Sequence, residues 1–490
     1  MTSLAEQFQL QQQYRHFING LWQDGGDGHI DVVNPAREEV IASVPAGGAA
    51  EIDAAVRAAR AQFAGGAWSR LSGPERGALI LKLADLVERD AAIIARLDAL
   101  CIGRPMHEPA MLDLPNALAT LRHNAGWADK IEGRTIPNPG YFGRPTVTYT
   151  RREAIGVIGA IVPWNTPFMI TCWKLAPALA TGCTIVIKPA EETPLSALHL
   201  AALVAEAGFP PGVVNVVTGR GAVAGAALCV HPGVDKISFT GSPVVGAEIM
   251  RAAGPLFKRV ALELGGKSPQ VVFADADLER AIQGCAMGLF FNQGQVCAAG
   301  TRLLVQRPIY EQFVAGLRLA ADSVKVGDPL EEGVSMGAVA KRSQYDSIAR
   351  YIQAGCDEGA TLVTGGAVEG GKGWFIRPTL FANARNDMRI AREEIFGPVG
   401  TIIAFDTDEE ALALANDSKY GLGATIWTRD ITRAHTMAAA IEAGAVGING
   451  WAPMDARVPW GGVKSSGLGR ELGYSGIEAC TEEKVITVVL

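Results

Sequence analysis

Apolar residues recur every three or four positions through EIDAAVRAARAQF and PERGALILKLADLVERDAAIIARLDAL, so the stretch from about Ala49 to Asp129 predicts amphipathic helices. Ser72 and Gly73 ahead of Pro74 read as a helix start. The texture changes at Ala154. AIGVIGAIV, TIVIKP, VVNVVTG and KISFTG are short, nearly unbroken apolar runs, each followed by a helical pattern: FMITCWKLAPALATG, TPLSALHLAALVAEAG, GAVAGAALCV and PVVGAEIMRAAG. This alternation predicts a parallel α/β sheet covered on both faces. A second alternating region begins near Gly265, with SPQVVFA, RLLVQ, GTIIAF, GATIW and AVGIN separated by helices such as DLERAIQGCAMGLF and DITRAHTMAAAIEAG. RTIPNPGYFGRPTVTYTRRE and EEKVITVVL fit neither region. They are extended, lack a following helix, and read as strands pairing outside their own domain, an exposed edge that invites a second subunit.

A chain of 490 residues is too long for one ordinary core, so two or more domains are expected. Its net charge of -7, from 44 basic and 51 acidic side chains, argues against a nucleic-acid partner, which needs a clustered basic face. No segment approaches the roughly 20 apolar residues of a membrane span. The N-terminal MTSLAEQFQLQQQYRHF has neither the basic start nor the apolar stretch of a signal peptide, so a cytoplasmic location is expected. Eight cysteines without CxxC or Cys/His ligand spacing make neither a disulfide framework nor a metal site.

Parallel sheets bind ligands beyond the carboxyl ends of their strands. FNQGQVCAAG places Cys297 among small and polar neighbours just after a helix, whereas the other cysteines sit in apolar or helical contexts. Filler, metal ligand, disulfide partner and nucleophile are the readings; a thiol left free in a reducing compartment is available as a nucleophile. LELGGKSP puts Glu263 in an apolar strand, where a carboxylate is costly unless paired or functional, and where burial would make it a better base near neutral pH. Asn165 in PWNTP is either a turn residue or an amide donor to a developing oxyanion. In VIKPAEE, Lys188 and Glu191 are a solvated pair or the holders of an adenosine ribose; a carboxylate there repels a 2′-phosphate and favours NAD over NADP. GRGAVAG, opening the helix at Gly221, and FTGSPVVG, with Gly241, Ser242 and Val245, are tight strand–helix turns, either of which could face a pyrophosphate, with Ser242 adding a hydroxyl donor. Glu394 and Phe396 in EEIFGP place an acid beside an aromatic loop, an arrangement suited to positioning a ribose.

In order along the chain, PWNTP, IKPAEE, FTGS, LELGGKSP, FNQGQVCAAG, EEIFGP and PWGGVKSSGLGRELG resemble the aldehyde dehydrogenase superfamily, from about Phe17 to the C-terminus. The resemblance implies two doubly wound open parallel-sheet domains plus a small β arm: an NAD domain over 1–132 and 154–264, a catalytic domain over 265–477, and an oligomerisation arm over 133–153 and 478–490. It also implies Cys297 as nucleophile, Glu263 as general base and Asn165 as oxyanion donor. Lys188 and Glu191 match the adenosine-ribose contacts; Gly241, Ser242 and Val245 the pyrophosphate side; Glu394 and Phe396 the nicotinamide end; Ile161, Val162, Pro163, Trp164, Gly221 and Leu264 complete the cofactor set. Met169, Ile170, Trp173, Val296, Met454 and Trp460 are expected to line the substrate tunnel, with Trp451 near its mouth. These are mostly large and apolar, with Arg457 the one candidate to clasp a carboxylate, so the expected substrate is a medium-sized apolar aldehyde, aromatic or terpenoid, and the expected assembly a homo-oligomer, dimer or tetramer. Two rivals stand beside this reading: an acyl-CoA-forming enzyme, disfavoured because that branch typically lacks the base at Glu263, and a non-catalytic scaffold, disfavoured by intact Cys297, Glu263 and Asn165.

Overall fold

The structure, a computed structural model, describes residues 3–8, 10–366, 371–451 and 454–490. The N-terminal helical stretch forms α1 (Ala49–Phe63), α2 (Gly73–Arg89), α3 (Ala91–Ile102) and α4 (Leu114–Trp127). Ser72 caps α2 as its sequence suggests, through a capping box with Glu75. The long periodic run after it is two helices rather than one. The chain breaks at Asp90, whose carboxylate is held by Arg89 and His199.

Five parallel strands follow: β1 (Val157–Ile161), β2 (Thr184–Lys188), β3 (Val214–Val216), β4 (Lys236–Thr240) and β5 (Arg259–Glu263), in the spatial order β3-β2-β1-β4-β5. Their burial is complete apart from the first residues of β5, which explains the unbroken apolar runs. Helix α5 (Pro167–Thr181) is buried on every side, so it too reads apolar all round, with Lys174 as its one buried cation. Helices α6 (Leu195–Ala207) and α7 (Pro243–Ala253) follow β2 and β4, while GRGAVAG forms a π-helical turn over Gly221–Gly225.

A second sheet contains β6 (Pro269–Val272), β7 (Arg302–Gln306), β8 (Thr379–Ala382), β9 (Val399–Phe405), β10 (Gly423–Trp427) and β11 (Ala445–Ile448), all parallel in the order β8-β9-β7-β6-β10-β11. Helix α8 (Leu278–Phe290) connects β6 to the segment leading into β7. The strand order in the first sheet reverses at β1, flanked by β2 and β4, and the crevice beyond such a switch point is where open α/β sheets bind ligands. Because β5 runs through Leu264–Ser268 straight into β6, the carboxyl ends of the first sheet face the amino ends of the second. Near the C-terminus the chain returns: Gly467–Leu468 pairs antiparallel with β5, at Leu262 and Glu263. The two extended segments pair with each other, Thr146–Ala154 against Thr481–Val489 with Thr135–Ile136 on the outer side, leaving Val147, Val485 and Val488 exposed.

Candidate active site

Two cavities meet at the junction of the sheets. The first, about 530 Å³, is lined by Ile161, Val162, Pro163 and Trp164 after β1, Lys188 and Glu191 after β2, Gly221 in the π-helical turn, and Gly241 and Val245 after β4. The second, about 380 Å³, holds Cys297, Glu263 and Asn165 together with Ser242, Glu394 and Phe396. Pro163, Trp164, Thr240, Gly241 and Lys341 line both, so the cavities form one elongated cleft ending at the thiol.

The cysteine loop is built by polar side chains working on backbone. After α8 ends, Asn292 and Gln293 adopt left-handed backbone at φ 50° and 55°. Asn292 Nδ2 donates to Asn165 O at 2.9 Å, and Asn165 Nδ2 donates to Gln295 O at 2.9 Å. Gln295 Oε1 accepts from the Ala340 N–H at 3.0 Å. One amide hydrogen of Asn165 is thereby spent on the loop, leaving the other for the cavity it lines. The Gly265–Gly266 pair is required by close approach: a Cβ on Gly265 would stand 2.0 Å from Glu394 Oε2, and one on Gly266 would stand 2.4 Å from Cys297 O.

Three carboxyls surround this loop, Glu263 and Glu471 buried and Glu394 partly buried. Glu263, at the end of β5, is 4% exposed and its Oε2 has no hydrogen-bond partner among the described residues. Burial raises its carboxyl well above the usual range, and the neighbouring Glu471 carboxylate raises it further. Glu471 is itself tied to Lys174 Nζ at 2.5 Å, and Lys174 also donates to Ser238 and Thr240. Glu394 accepts from the Gly266 N–H at 3.2 Å, and burial pushes it up to about 7. The same burial, reinforced by Glu263 and Glu394, pushes the Cys297 thiol up to about 12. In the cleft as described, Cys297 therefore carries its proton at neutral pH.

At the other end, Lys188 Nζ meets Glu191 Oε2 at 3.1 Å. Burial alone would raise Glu191; the Lys188 ammonium outweighs it and keeps the carboxyl below its ordinary value. Ser242 caps α7, its Oγ accepting from the Val245 N–H at 3.4 Å, so its hydroxyl hydrogen remains to donate. Trp164 stands edge-on to Phe396 with ring centroids 5.2 Å apart, and Lys341, anchored on Glu192 at 2.6 Å, lies 5.4 Å over the same indole. Lys341, Glu471 and Lys174 were missed by sequence reasoning. Lys341 and Lys174 sit in no quoted motif, and Glu471, although inside PWGGVKSSGLGRELG, is placed beside Glu263 only by the fold.

Leu264 and the six expected tunnel residues lie outside the lining of both cavities. Leu264 lines neither cavity; its N–H is bonded to Ser466 O and its side chain packs under Gly246 of α7, because residues on an extended segment alternate in direction. The six tunnel residues, Met169, Ile170, Trp173, Val296, Met454 and Trp460, also line neither cavity. They pack into the apolar cluster that takes in Phe291 and the partly buried Cys297 and Trp451, since bulky rings and thioethers fill the space they enclose. Trp173 and Trp460 meet edge-on at 6.4 Å. Asn116 ties this wall together, its Oδ1 accepting from Trp173 Nε1 at 2.7 Å and its Nδ2 donating to Met454 O at 2.8 Å. Arg457 points elsewhere: it is 75% exposed and chelated by Asp455. Among the cysteines, Cys356 is more exposed than Cys297, lying on the outer side of the helix Arg342–Asp357, and Cys229 is buried in the wall of the first cavity, but Cys297 is the cysteine that lines the second cavity with Glu263 and Asn165. No group of side chains suited to a metal ion occurs among the described residues.

The comparisons with known proteins agree with this geometry. A sequence profile of the Aldehyde dehydrogenase family matches residues 22–486. The chain is 49% identical over 475 residues to aldehyde dehydrogenase 1A1 of Gallus gallus, covering 96% of this chain and 92% of that protein. It is also 49% identical to retinal dehydrogenase 2 of Homo sapiens, covering 96% and 91%. Among solved structures, an NAD+ complex of aldehyde dehydrogenase from Bacillus cereus superposes with a TM-score of 0.96 at 44% identity, covering 100% of this chain and 99% of that one. A thiol at the end of a switch-point cleft, a sequence profile spanning nearly the whole chain and close relatives of full length lead to one conclusion: the chain belongs to the aldehyde dehydrogenase family.

Proposed function

We propose that this protein oxidises a medium-sized apolar aldehyde to its carboxylic acid with NAD, through a thioester on Cys297 and hydrolysis assisted by Glu263. The observation that carries the reading is the presence of Cys297, Glu263 and Asn165 in one cavity continuous with the Lys188–Glu191 cleft. The cleft suits a dinucleotide in chemistry as well as length: a carboxylate and ammonium at one end for ribose hydroxyls, a capped helix N-terminus midway for phosphate, and Glu394 beside Phe396 at the other. NAD bound there supplies the hydride acceptor and a positively charged ring.

Cys297 attacks the aldehyde carbon as its proton passes to solvent, forming a thiohemiacetal whose oxyanion accepts from the free Asn165 N–H and the Cys297 backbone N–H. Loss of hydride leaves the thioester. Glu263, ionised, takes a proton from water as the water oxygen attacks the acyl carbon, the C–S bond breaks, and the acid departs as the leaving thiolate of Cys297 takes that proton from Glu263, which is ionised again. The domain limits 1–132 with 154–264, and 265–477, fit this division of labour between the two sheets. The Thr146–Ala154 and Thr481–Val489 strands expose apolar side chains, which supports a homo-oligomer built through that arm. Cytoplasmic residence belongs to the same reading. No helix among the described residues is long and apolar enough to cross a membrane.

The direct test is NADH formation from purified protein, aldehyde and NAD with no CoA present. A requirement for CoA would transfer the protein to the acylating branch, and the absence of any fast-reacting cysteine towards an electrophile would make it a scaffold. A relative named for retinal is in keeping with an aromatic or terpenoid substrate. An aromatic or branched terpenoid aldehyde should give a higher kcat/KM than acetaldehyde or succinic semialdehyde, and preference for either small one overturns the assignment.

Glu191→Ala should raise the KM for NAD about 10-fold or more with little change in kcat, since hydrogen bonds to a charged acceptor are worth about 1.5–3 kcal/mol. It should also narrow the preference for NAD over NADP, because the repulsion of a 2′-phosphate goes with the carboxylate. Steady-state titrations with both cofactors measure this.

A further inference from the structure

One charged side chain stands where the two cavities join, and the chemistry above gives it no task. Of the residues that line both, Pro163, Trp164, Thr240, Gly241 and Lys341, only Lys341 is ionisable. The other four come from strand ends of the first sheet. Lys341 comes from the second half of the chain, between β7 and β8, directly ahead of the helix Arg342–Asp357. Its backbone is fixed beside the cysteine loop, for the neighbouring Ala340 N–H donates to Gln295 Oε1 at 3.0 Å. Its side chain reaches back to the first-sheet side, with Nζ 2.6 Å from Glu192 Oε1 and 5.4 Å from the centre of the Trp164 ring.

Stability is a weak reason for this arrangement. The Lys341 side chain is 34% exposed and that of Glu192 22%, and ion pairs open to water contribute little. Lys188, the other cation of the cleft, is held by Glu191, and neither of these lines the second cavity. An ammonium has three donors, so Lys341 can keep Glu192 and still offer hydrogen to an acceptor in the neck. A dinucleotide with its adenosine ribose at Lys188–Glu191 and its reactive ring at Cys297 must pass this neck with its middle. That middle is the diphosphate, the most highly charged part of the molecule. The first sheet offers it the start of α7, with the Ser242 hydroxyl and the first-turn N–H groups. Lys341 brings a full positive charge to the same place from the other side of the chain.

We propose that Lys341 binds the diphosphate of NAD, closing on it from the second-sheet side while the start of α7 holds it from the first. The proposal rests on the reading of the cleft as a dinucleotide site. It also selects between two phosphates: Glu191 lines the first cavity only, so a cation at the neck meets the diphosphate and not a 2′-phosphate beside Glu191. Because Ala340 is bonded to Gln295, the same contact ties the seat of the cofactor to the cysteine loop.

The experiment compares binding of ADP-ribose, which carries the diphosphate without the nicotinamide, with binding of adenosine, which carries no phosphate. Calorimetry on the parent, Lys341→Gln, Lys341→Arg and Glu192→Gln reads both ligands, and steady-state titrations read the KM for NAD and NADP. Lys341→Gln should weaken ADP-ribose about 10-fold and raise the KM for NAD by a similar factor, the worth of a hydrogen bond to a charged group, while adenosine changes by less than about 2-fold. Lys341→Arg should restore most of the affinity, and the gap between parent and Lys341→Gln should narrow as salt is raised. Glu192→Gln, which leaves the ammonium in place, should not weaken ADP-ribose. Four results overturn the assignment: unchanged ADP-ribose binding in Lys341→Gln; an equal loss for adenosine, which would make the side chain a packing partner of Trp164; an equal loss in Glu192→Gln, which would make the ion pair itself the active feature; or a KM for NADP that rises more than that for NAD, which would move the contact to the 2′-phosphate. A parent protein that neither binds ADP-ribose nor reduces NAD removes the dinucleotide reading and this proposal with it.

Discussion

Cys297→Ser is expected to lower kcat/KM for aldehyde by about 10⁴-fold or more while leaving NAD binding intact. Serine keeps the size and the loop geometry set by Asn292, Asn165 and Gln295, so the change isolates the atom rather than the fold. The site is already hostile to an anion at this position: burial and two carboxyls push even the thiol up to about 12. A hydroxyl starts from a higher pKa and cannot be ionised there. Steady-state NADH formation and an NAD titration on the same preparation measure the two parts. Oxidation by the serine variant at the parental rate would falsify the nucleophile assignment.

Glu263→Gln should separate the two halves of the reaction. One equivalent of NADH per active site is expected in a rapid first turnover, followed by a steady state lower by about 10²–10⁴-fold, the typical worth of a positioned base. Mass spectrometry of acid-quenched protein should then find the acyl group on the chain. The pH dependence carries a sign that can be worked out. Glu263 accepts a proton only when ionised, and burial together with Glu471 raises its carboxyl well above the usual range, so it holds its proton across the acidic range. Hydrolysis should therefore rise with pH through that raised pKa, and Glu263→Gln should remove the rising limb. A limb that survives the substitution assigns the base to another group.

Most of the parallel strands were legible because they are buried on two faces: TIVIK and GATIW appear as apolar runs, and the structure bounds β2 and β10 at those residues. β8 was not legible, since TLFA is short, follows Arg377–Pro378 and is set off by no turn signal on its far side. The split at Asp90 was hidden for the opposite reason: apolar periodicity carries on across a break made by one polar residue. At the site, residues within a strand-end motif could be found from sequence, whereas those meeting it from afar could not. Lys174 and Glu471 are 297 residues apart in sequence and 2.5 Å apart in space, and neither sits in a pattern that points to the other. Asn116 was overlooked likewise, because an asparagine in a helix gives no sign that its amide spans Trp173 and Met454. The sequence shows which of the expected tunnel residues are large and apolar, but which space they leave open depends on how they pack, and these pack into one apolar cluster.

The returning strand Gly467–Leu468 makes the last few dozen residues part of the machinery rather than a tail. It stitches the far end of the polypeptide onto β5 beside Glu263 and delivers Glu471 to the same neighbourhood. A premature stop upstream of it would spare most of both sheets yet leave the base in altered electrostatic company. Such a product would be expected to retain much of its architecture while losing turnover, and frameshifts late in the reading frame should be as damaging as substitutions in the cleft.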